Sequence, residues 1–459
     1  MEDQQFEQAK YFFIEATNNL QNKNYLEAKK NFENSLKFYP DRVSTLINYS
    51  ATLIKLKEFS QALAVCDQVT NIEGDVYENL INYGEIYSGL NQYPQAIEKN
   101  LKALALDSSG NEAKFNLASL YKKTNDKSKA AYFYQKLIEQ SPEHDDGKFN
   151  YALFLLGNNE FEKGWDLYSH RWNASNFNSK KTINENNLWQ GDLNAEKKTI
   201  LLWAEQGIGD EILYAGIYAR LKIRSNIIIS ASKKLLDLFR ISMPEHQFIE
   251  RGEEYKYKYA EQLPIGDLGK LFRKNQNEFI CTENKYLVTD KKYTHILDKY
   301  KVQNKKICGI SWFSKNKEFG DSKSMHLVEL MPILQNKNMI FINLQYGEVN
   351  EEIEKLNKTY GVKIEQVEDV DCYNDINKLA SVIEACDHVV TVSNTTAHLA
   401  GALNKKTFML LAKNDGSIWY WQNQKNNKSL WYPSIEIFQQ TAENEWTGPV
   451  LEIENKINA

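Results

Sequence analysis

The sequence predicts a chain of class α + α/β: a helical repeat solenoid followed by two α/β lobes. Three observations lead there. Small residues recur in columns 34 residues apart through the first third. From Lys198 onward, short apolar runs alternate with amphipathic segments, the pattern of doubly wound parallel sheets. At 459 residues the chain is too long for one hydrophobic core.

Composition narrows the function classes. Hydrophobic residues make up 42% and charged residues 25%, the balance of a globular protein. A formal net charge of −5 argues against bulk nucleic-acid binding, which needs a basic footprint, so no nucleic-acid partner is expected. Cys66, Cys281, Cys308, Cys372 and Cys386 are scattered, odd in number and never spaced C-x-x-C, which points to a reducing compartment and no zinc site. The opening Met-Glu-Asp-Gln-Gln-Phe-Glu is too polar for a secretory signal, and no apolar run reaches the ~18 residues of a membrane span. The expectation is a cytoplasmic protein without a transmembrane segment.

In the first third, Ala28, Ala62, Ala96, Ala130 and Gly164 form one 34-residue column. Tyr25, Phe59, Tyr93 and Phe161 form a second, interrupted by Lys127, and Ala16, Ser50, Gly84, Ala118 and Ala152 a third. Small side chains let two helix axes approach, and aromatics beside them fill the groove to the next pair. These columns resemble tetratricopeptide repeats over roughly residues 6–172. The resemblance implies a superhelix with a concave groove for a peptide or protein partner; a rigid spacer or oligomerisation arm is the alternative. Asn48, Asn82, Asn116 and Asn150 share the period. Such a ladder either hydrogen-bonds an extended peptide in the groove or joins neighbouring helices. The array is assigned to 1–172. Trp165, Tyr168 and Trp172 at its end are too apolar for a solvated cap and are expected to pack on the next domain. Residues 173–197, rich in Asn and Lys, read as a linker anchored by Trp189.

A first lobe is assigned to 198–300, with strands at 199–204, 226–230, 246–250 and 261–265. The charged stretch 291–305 suits a hinge helix. A second lobe, 301–440, has strands at 306–313, 339–344, 362–366, 388–392 and 407–411, and helices near 326–336, 350–360, 375–386 and 395–403. The final helix, in 441–459, is expected to cross back to the first lobe. In sheets of this kind ligands sit at the C-terminal ends of strands.

Four segments carry candidate chemistry. Gly207-Ile-Gly209-Asp210 turns a strand into a helix, but Ile212 stands where a dinucleotide fingerprint needs its third glycine. Asp210 is either a helix N-cap or a general base for an attacking hydroxyl. Lys315, Lys317 and Lys323 come just after the strand 306–313 and could clamp a diphosphate; an ordinary solvated loop is the alternative. Ser393, Asn394, Thr395 and Thr396 crown a helix N-terminus, an anion-favouring arrangement, with His398 one turn in as packing residue or ligand contact. Gln345-Tyr346-Gly347 is succeeded by Glu351 and Glu352, which could hold ribose hydroxyls or serve as an acidic first helical turn. No metal-ligand cluster, nucleophile elbow or P-loop is present in the sequence.

Together, Trp203-Ala-Glu-Gln-Gly-Ile-Gly-Asp210, Gly309-Ile-Ser-Trp312, Lys323-Ser, Leu344-Gln-Tyr-Gly347, Ala397-His-Leu-Ala-Gly-Ala-Leu403 and Trp431-Tyr-Pro-Ser434 resemble heptosyltransferase-like glycosyltransferases. The likeness is to bacterial proteins that fuse tetratricopeptide repeats to such a domain. It implies a GT-B fold of two Rossmann-like lobes and an inverting transfer from a nucleotide-sugar without a metal or other cofactor. In that light Asp210 is the base, Lys323 and the Ser393–Thr396 turn hold donor phosphate, and Glu351 or Glu352 contacts ribose. Ser393-Asn394 departs from the Asp-Thr pair of the heptose enzymes, which speaks against a heptose donor. The architecture is also similar to that of O-linked N-acetylglucosamine transferases, which makes a protein acceptor an expectation. The rival reading is a repeat scaffold whose lobes no longer turn over.

Overall fold

The computed structural model describes residues 2–183, 186–194, 198–221, 224–280, 284–302, 304–316, 319–413 and 416–458, so Cys281 and Lys317 lie outside the described residues. The chain divides into two compact units, Met1–Tyr151 and Ala152–Ala459. Among the described residues no helix is long and apolar enough to cross a membrane.

The first unit is a helical solenoid. Its helices are α1 (Glu2–Gln21), α2 (Tyr25–Phe38), α3 (Val43–Lys55), α4 (Phe59–Glu73), α5 (Tyr77–Gly89), α6 (Tyr93–Leu106), α7 (Asn111–Lys123), α8 (Lys127–Gln140) and the start of α9 (Asp145–Gly157). From α1 to α8 each packs on the next in sequence, and α1, α3, α5 and α7 also touch in succession, so the first helices of the repeats line one side. The small-residue columns explain this packing. Ala16, Ala28, Ser50, Ala62, Ala96, Ala118 and Ala130 are fully buried. At Gly84 a Cβ would come within 2.1 Å of the Asn100 side chain, so no larger residue fits that crossing. The structure adds a column that the sequence reading lacks. Lys23, Lys57, Asn91, Asn125 and Asn159, again 34 apart, each take a positive φ of 60° to 65°. They turn the chain from the first helix of a repeat into the second, and Asn tolerates that left-handed conformation best among non-glycine residues.

The division falls inside the fifth repeat: α9 begins in the first unit, and its end and the next helix belong to the second. The reason is apolar: in α10 (Phe161–Tyr168), Phe161, Trp165 and Tyr168 are buried against the α/β region. The Trp165 indole N–H donates to the Arg273 carbonyl at 2.9 Å, and the ring lies where a Cβ on Gly269 would be. Trp189, read as an anchor, is buried and stacks at a tilt on Phe272.

Two sheets come next. The first contains β1 (Thr199–Trp203), β2 (Asn226–Ala231), β3 (Gln247–Glu250) and β4 (Glu261–Pro264), all parallel, in the order β3-β2-β1-β4. Helices α11 (Ile208–Tyr218), α12 (Leu236–Ser242) and α13 (Leu268–Phe272) accompany them. Among its described residues the charged stretch after it forms 3-10 turns at Lys291–Tyr293 and Asp298–Tyr300 instead of the expected hinge helix.

The second sheet is built from β5 (Lys306–Ser311), β6 (Met339–Asn343), β7 (Ile364–Glu365), β8 (His388–Val392), β9 (Thr407–Leu411), β10 (Gln424–Lys425), β11 (Lys428–Ser429) and β12 (Ile435–Gln439). Its order is β10-β11-β12-β9-β8-β5-β6-β7, parallel from β12 to β7, with an antiparallel hairpin at one edge. Its helices are α14 (Gly320–Lys323), α15 (Met331–Leu334), α16 (Asn350–Tyr360), α17 (Ile376–Ala385), α18 (Thr395–Ala402), α19 (Trp419–Gln422) and α20 (Thr447–Asn458). Strand β8 is buried along its whole length, which fits a central parallel strand covered on both faces. The final helix does not serve as a crossover: Trp446, Val450 and Ile453 join the core of this second sheet, and α20 packs on β9, β12 and α15.

Candidate functional site

Both sheets reverse their strand order at one point, and those points carry the candidate motifs. In the first sheet β1 lies between β2 and β4, so the turn after β1 leaves at a switch point. In the second, β5 lies between β6 and β8, so the loops after β5 and β8 flank the other switch point. Helices α11 and α18, which open from these turns, pack on one another. The arrangement brings Gly209 against His398 and Asp210 within reach of the Lys323 charge.

The turn after β1 passes through Gln206, which has a positive φ of 60°. Arg251 donates to the Gln206 carbonyl at 2.9 Å, and the Gln206 amide donates to the Tyr168 hydroxyl at 2.9 Å. Gly207 is the N-cap of α11, and Asp210 sits three residues in, its carboxylate accepting from the Gly207 N–H at 3.2 Å. Asp210 is therefore not the N-cap residue; it closes a capping interaction and keeps further lone pairs for other partners. Burial raises its carboxyl above the usual range, against the pull of the Gly207 N–H, the Lys323 charge and a hydrogen bond from Tyr420. Lys323, at the end of α14, is itself buried.

Beneath the turn lies an ionic knot that sequence reasoning missed. Arg171 is fully buried and donates to Glu205 through Nε and Nη2, at 3.2 Å and 3.0 Å, and to Asp267 at 2.7 Å. Burial pushes the Glu205 carboxyl up to about 7, and the Arg171 charge opposes that rise. Three segments, the end of the last repeat, the end of β1 and the loop after β4, are thereby tied at one guanidinium. A lone Arg in Ser169-His-Arg-Trp172 gives no periodic or motif signal.

On the second sheet, Asn394 is the N-cap of α18 and uses all four of its hydrogen-bonding positions within the protein. Its Oδ1 accepts from Thr396 N–H and Thr391 hydroxyl, and its Nδ2 donates to Ser311 and the Phe313 carbonyl. It locks the two switch-point loops together and has no position left for a ligand. Ser393 differs: it is buried and its Oγ has no hydrogen-bond partner. Thr395 is partly exposed and Thr396 buried.

Gln345 is likewise structural. Its Oε1 accepts from Ser311 hydroxyl and from the N–H groups of Trp312 and Phe313, all within 2.9 Å. Glu352 accepts from the Trp312 indole at 3.0 Å and the Leu327 N–H at 2.8 Å, whereas Glu351 is exposed on the first turn of α16. Beside them an open cleft of 560 Å³ is bordered by Trp312, Phe313, Lys315, Asn316, His326 and Glu352. Lys315 is exposed, with Nζ against Gly347, where a Cβ would approach to 2.8 Å.

His398 sits in an aromatic cage. Its ring lies 4.8 Å from Trp421 and 5.4 Å from Tyr420, centroid to centroid. Nδ1 is 2.9 Å from the Tyr432 hydroxyl and Nε2 is 3.5 Å from that of Tyr420. Burial and the nearby Lys323 push its pKa down to about 3, so the ring is neutral. Tyr432 lies in the Trp431-Tyr-Pro-Ser434 segment of the resemblance without a role implied for it there, and Tyr420 carries no site signal in the sequence.

The asparagine ladder of the first unit resolves residue by residue. Asn82 is buried and donates to the Ile47 carbonyl at 3.0 Å and the Ser50 hydroxyl at 2.7 Å, joining α5 to α3. Asn48 and Asn150 donate to carbonyls one turn back, at Ser44 and Asp146. Asn116 has a buried Nδ2 with no partner. The column is thus partly an interhelical bond and partly self-capping.

A tetratricopeptide-repeat family model matches residues 112–144. Protein FlbA of Caulobacter vibrioides is 26% identical over 315 residues, covering 62% of this chain and 50% of that protein. The chain thus spans about half the length of this relative, and the alignment, longer than the Met1–Tyr151 unit, reaches into the α/β unit. Among solved structures, MamA is 17% identical over 36% of this chain and 90% of its own, with a TM-score of 0.30. The Thermus thermophilus repeat protein TTC0263 is 22% identical over 32% of this chain and 81% of its own, with a TM-score of 0.31. YrrB, described as a repeat protein with an unusual peptide-binding site, is 14% identical over 35% of this chain and 82% of its own, with a TM-score of 0.28. The chain carries tetratricopeptide-like repeats in a helical solenoid that precedes a mixed α/β region.

Proposed function

We propose that the α/β unit is a GT-B-type glycosyltransferase and that the repeat array binds a protein or peptide, including the acceptor. The observation that carries the reading is the meeting of two switch-point turns: the Asp210 carboxylate from one sheet beside Lys323 and His398 from the other. A nucleotide-sugar fits this setting. Its diphosphate would lie between Lys323 and the N-terminus of α18, where Ser393 offers an unused buried hydroxyl. Its nucleoside would occupy the cleft beside Trp312 and Lys315. Asp210, made more basic by burial, takes the proton of an acceptor hydroxyl as that oxygen attacks the anomeric carbon. Lys323 and the α18 N-terminus stabilise the departing nucleotide phosphate. Asp210→Asn is expected to keep donor binding and lose turnover by at least ~10²-fold; near-normal turnover removes Asp210 from the role.

One observation favours the second reading, a scaffold whose lobes bind without turning over. Ser393 stands where the resembling enzymes place a sugar-contacting aspartate, and the side chain of the next residue, Asn394, is wholly engaged inside the protein. Glycan transfer by the purified protein to any acceptor excludes that reading.

A further inference from the structure

The cleft beside Trp312 and Lys315 is bordered by groups whose chemistry discriminates between bases. Its volume of 560 Å³ lies within the roughly 300–1,000 Å³ of small-molecule sites. Trp312 and Phe313, where the chain leaves β5, border it with aromatic rings. Several of its polar side chains are already engaged. Glu352 accepts from the Trp312 indole and the Leu327 N–H and so braces the wall. The Ser324 hydroxyl accepts from the Ser314 N–H at 3.0 Å and donates to the Gly320 carbonyl at 2.7 Å. Two charged groups on the same cleft differ. Asp321, exposed in α14, uses its carboxylate in no hydrogen bond or ion pair among the described residues. The Lys315 ammonium lies against Gly347 and is likewise unpaired among the described residues. An acceptor-only carboxylate and a donor-only ammonium thus border one cleft without pairing with each other.

The bases differ in what they offer such a pair. Among the four, only guanine carries two donors side by side, N1–H and the 2-amino group, which one carboxylate can take bidentately. Its O6 and N7 are acceptors that suit an ammonium. Adenine and cytosine set a ring-nitrogen acceptor beside their one amino donor. Uracil sets its N3–H between two carbonyl oxygens. Each of these three turns a lone pair toward a carboxylate.

We propose that the cleft takes a guanine base, so that the donor is a GDP-sugar, with Asp321 accepting from N1–H and the 2-amino group and Lys315 donating to O6 or N7. The inference rests on the transferase reading, whose donor it specifies. Ring contact with Phe313 serves any base, since every base has a π-face, and Asp321 supplies the choice.

Calorimetric titration of the full chain with GDP, UDP, ADP, CDP and IDP tests this. Wild type is expected to bind GDP at least ~10-fold more tightly than UDP, ADP or CDP. IDP keeps N1–H and O6 but lacks the 2-amino group. It is expected to bind roughly 10- to 100-fold more weakly than GDP, the worth of one hydrogen bond to a charged group. Asp321→Asn replaces one carboxylate oxygen by an amino donor, and because Asp321 is exposed and unpaired the variant is expected to fold. It is expected to lose GDP by a similar factor and to gain xanthosine diphosphate, which has a carbonyl where guanine has its amino group. Preference of the wild type for another base, IDP bound as tightly as GDP, or an Asp321→Asn that does not exchange the one nucleotide for the other overturns the proposal and leaves the transferase reading standing. Binding of none of these nucleotides overturns both.

Discussion

A Cβ placed on Gly209 would lie 2.8 Å from Cδ2 of His398 and 3.0 Å from its Nε2, so the helix that opens from the first sheet rests on the imidazole of the second. His398 cannot give way, because it is held by Tyr432 and caged by Trp421. Gly209→Ala is expected to destabilise the protein by about 1–3 kcal/mol through overpacking. Urea or thermal melts check it, and a variant as stable as wild type would show that the two helices have slack at this contact.

The same histidine sets a pH dependence. Its folded-state pKa is pushed down to about 3, against an ordinary value near 6.5 in the unfolded chain. As pH falls below about 6.5, the unfolded state binds a proton that the native state refuses. Stability is therefore lost with acidification, by up to ~1.4 kcal/mol per pH unit from this group. Asp210 acts in the opposite sense: its raised carboxyl binds a proton in the native state first, so it adds stability as pH falls toward the ordinary carboxylate range. Melts between pH ~7 and ~4.5, the window below the ordinary histidine value, are expected to show a shallower acid slope for His398→Gln than for wild type. Equal slopes would mean the ring is not held neutral.

Arg171 ties three segments through the buried Glu205 and the half-buried Asp267. Arg171→Met leaves Glu205 without its counter-charge and is expected to cost about 3–5 kcal/mol. Adding Glu205→Gln removes the stranded charge and is expected to restore part of that loss. A double variant no better than the single one would place the cost in lost packing instead.

In the solenoid, Asn82→Ala breaks two hydrogen bonds to α3 and leaves the Ser50 hydroxyl and the Ile47 carbonyl with their bond to each other, an expected loss of about 1–3 kcal/mol. Asn48→Ala touches only an exposed bond to its own helix and is expected to change stability by less than ~0.5 kcal/mol. Chemical denaturation separates the two, and similar losses would mean the column works as one ladder.

Periodicity made much of the fold legible. The period of the small residues locates the solenoid, and β8 and β9 lie at the residues expected because short runs rich in β-branched and apolar residues admit few alternatives. Strand β12 is less visible: Ile435-Glu-Ile-Phe-Gln439 is short and comes straight after an aromatic loop. Its partner hairpin does carry a signal, since Asn426 and Asn427 both take positive φ, as a two-residue turn requires. Site residues that act by position are the least visible. Gln345 and Asn394 stand in the expected loops and Glu352 on the first turn of α16, yet their side chains brace the neighbouring loops internally. Tyr420 and Arg171 matter through partners on other segments of the chain, and no local pattern records that.

In the proposed transfer Lys323 meets donor phosphate, and its charge pulls against the burial that raises the Asp210 carboxyl. The most direct measurement of the central claim is a thermal-shift series of wild type and Lys323→Ala against UDP, GDP, ADP, CMP and their sugars. A ligand at about 100 times its Kd adds ~2.7 kcal/mol of stability, a shift of several degrees that is readily seen. The expected result is a clear shift with one nucleotide class in wild type, lost in Lys323→Ala. No shift with any of them would contradict the transferase reading and leave the repeat solenoid as the working part of the chain.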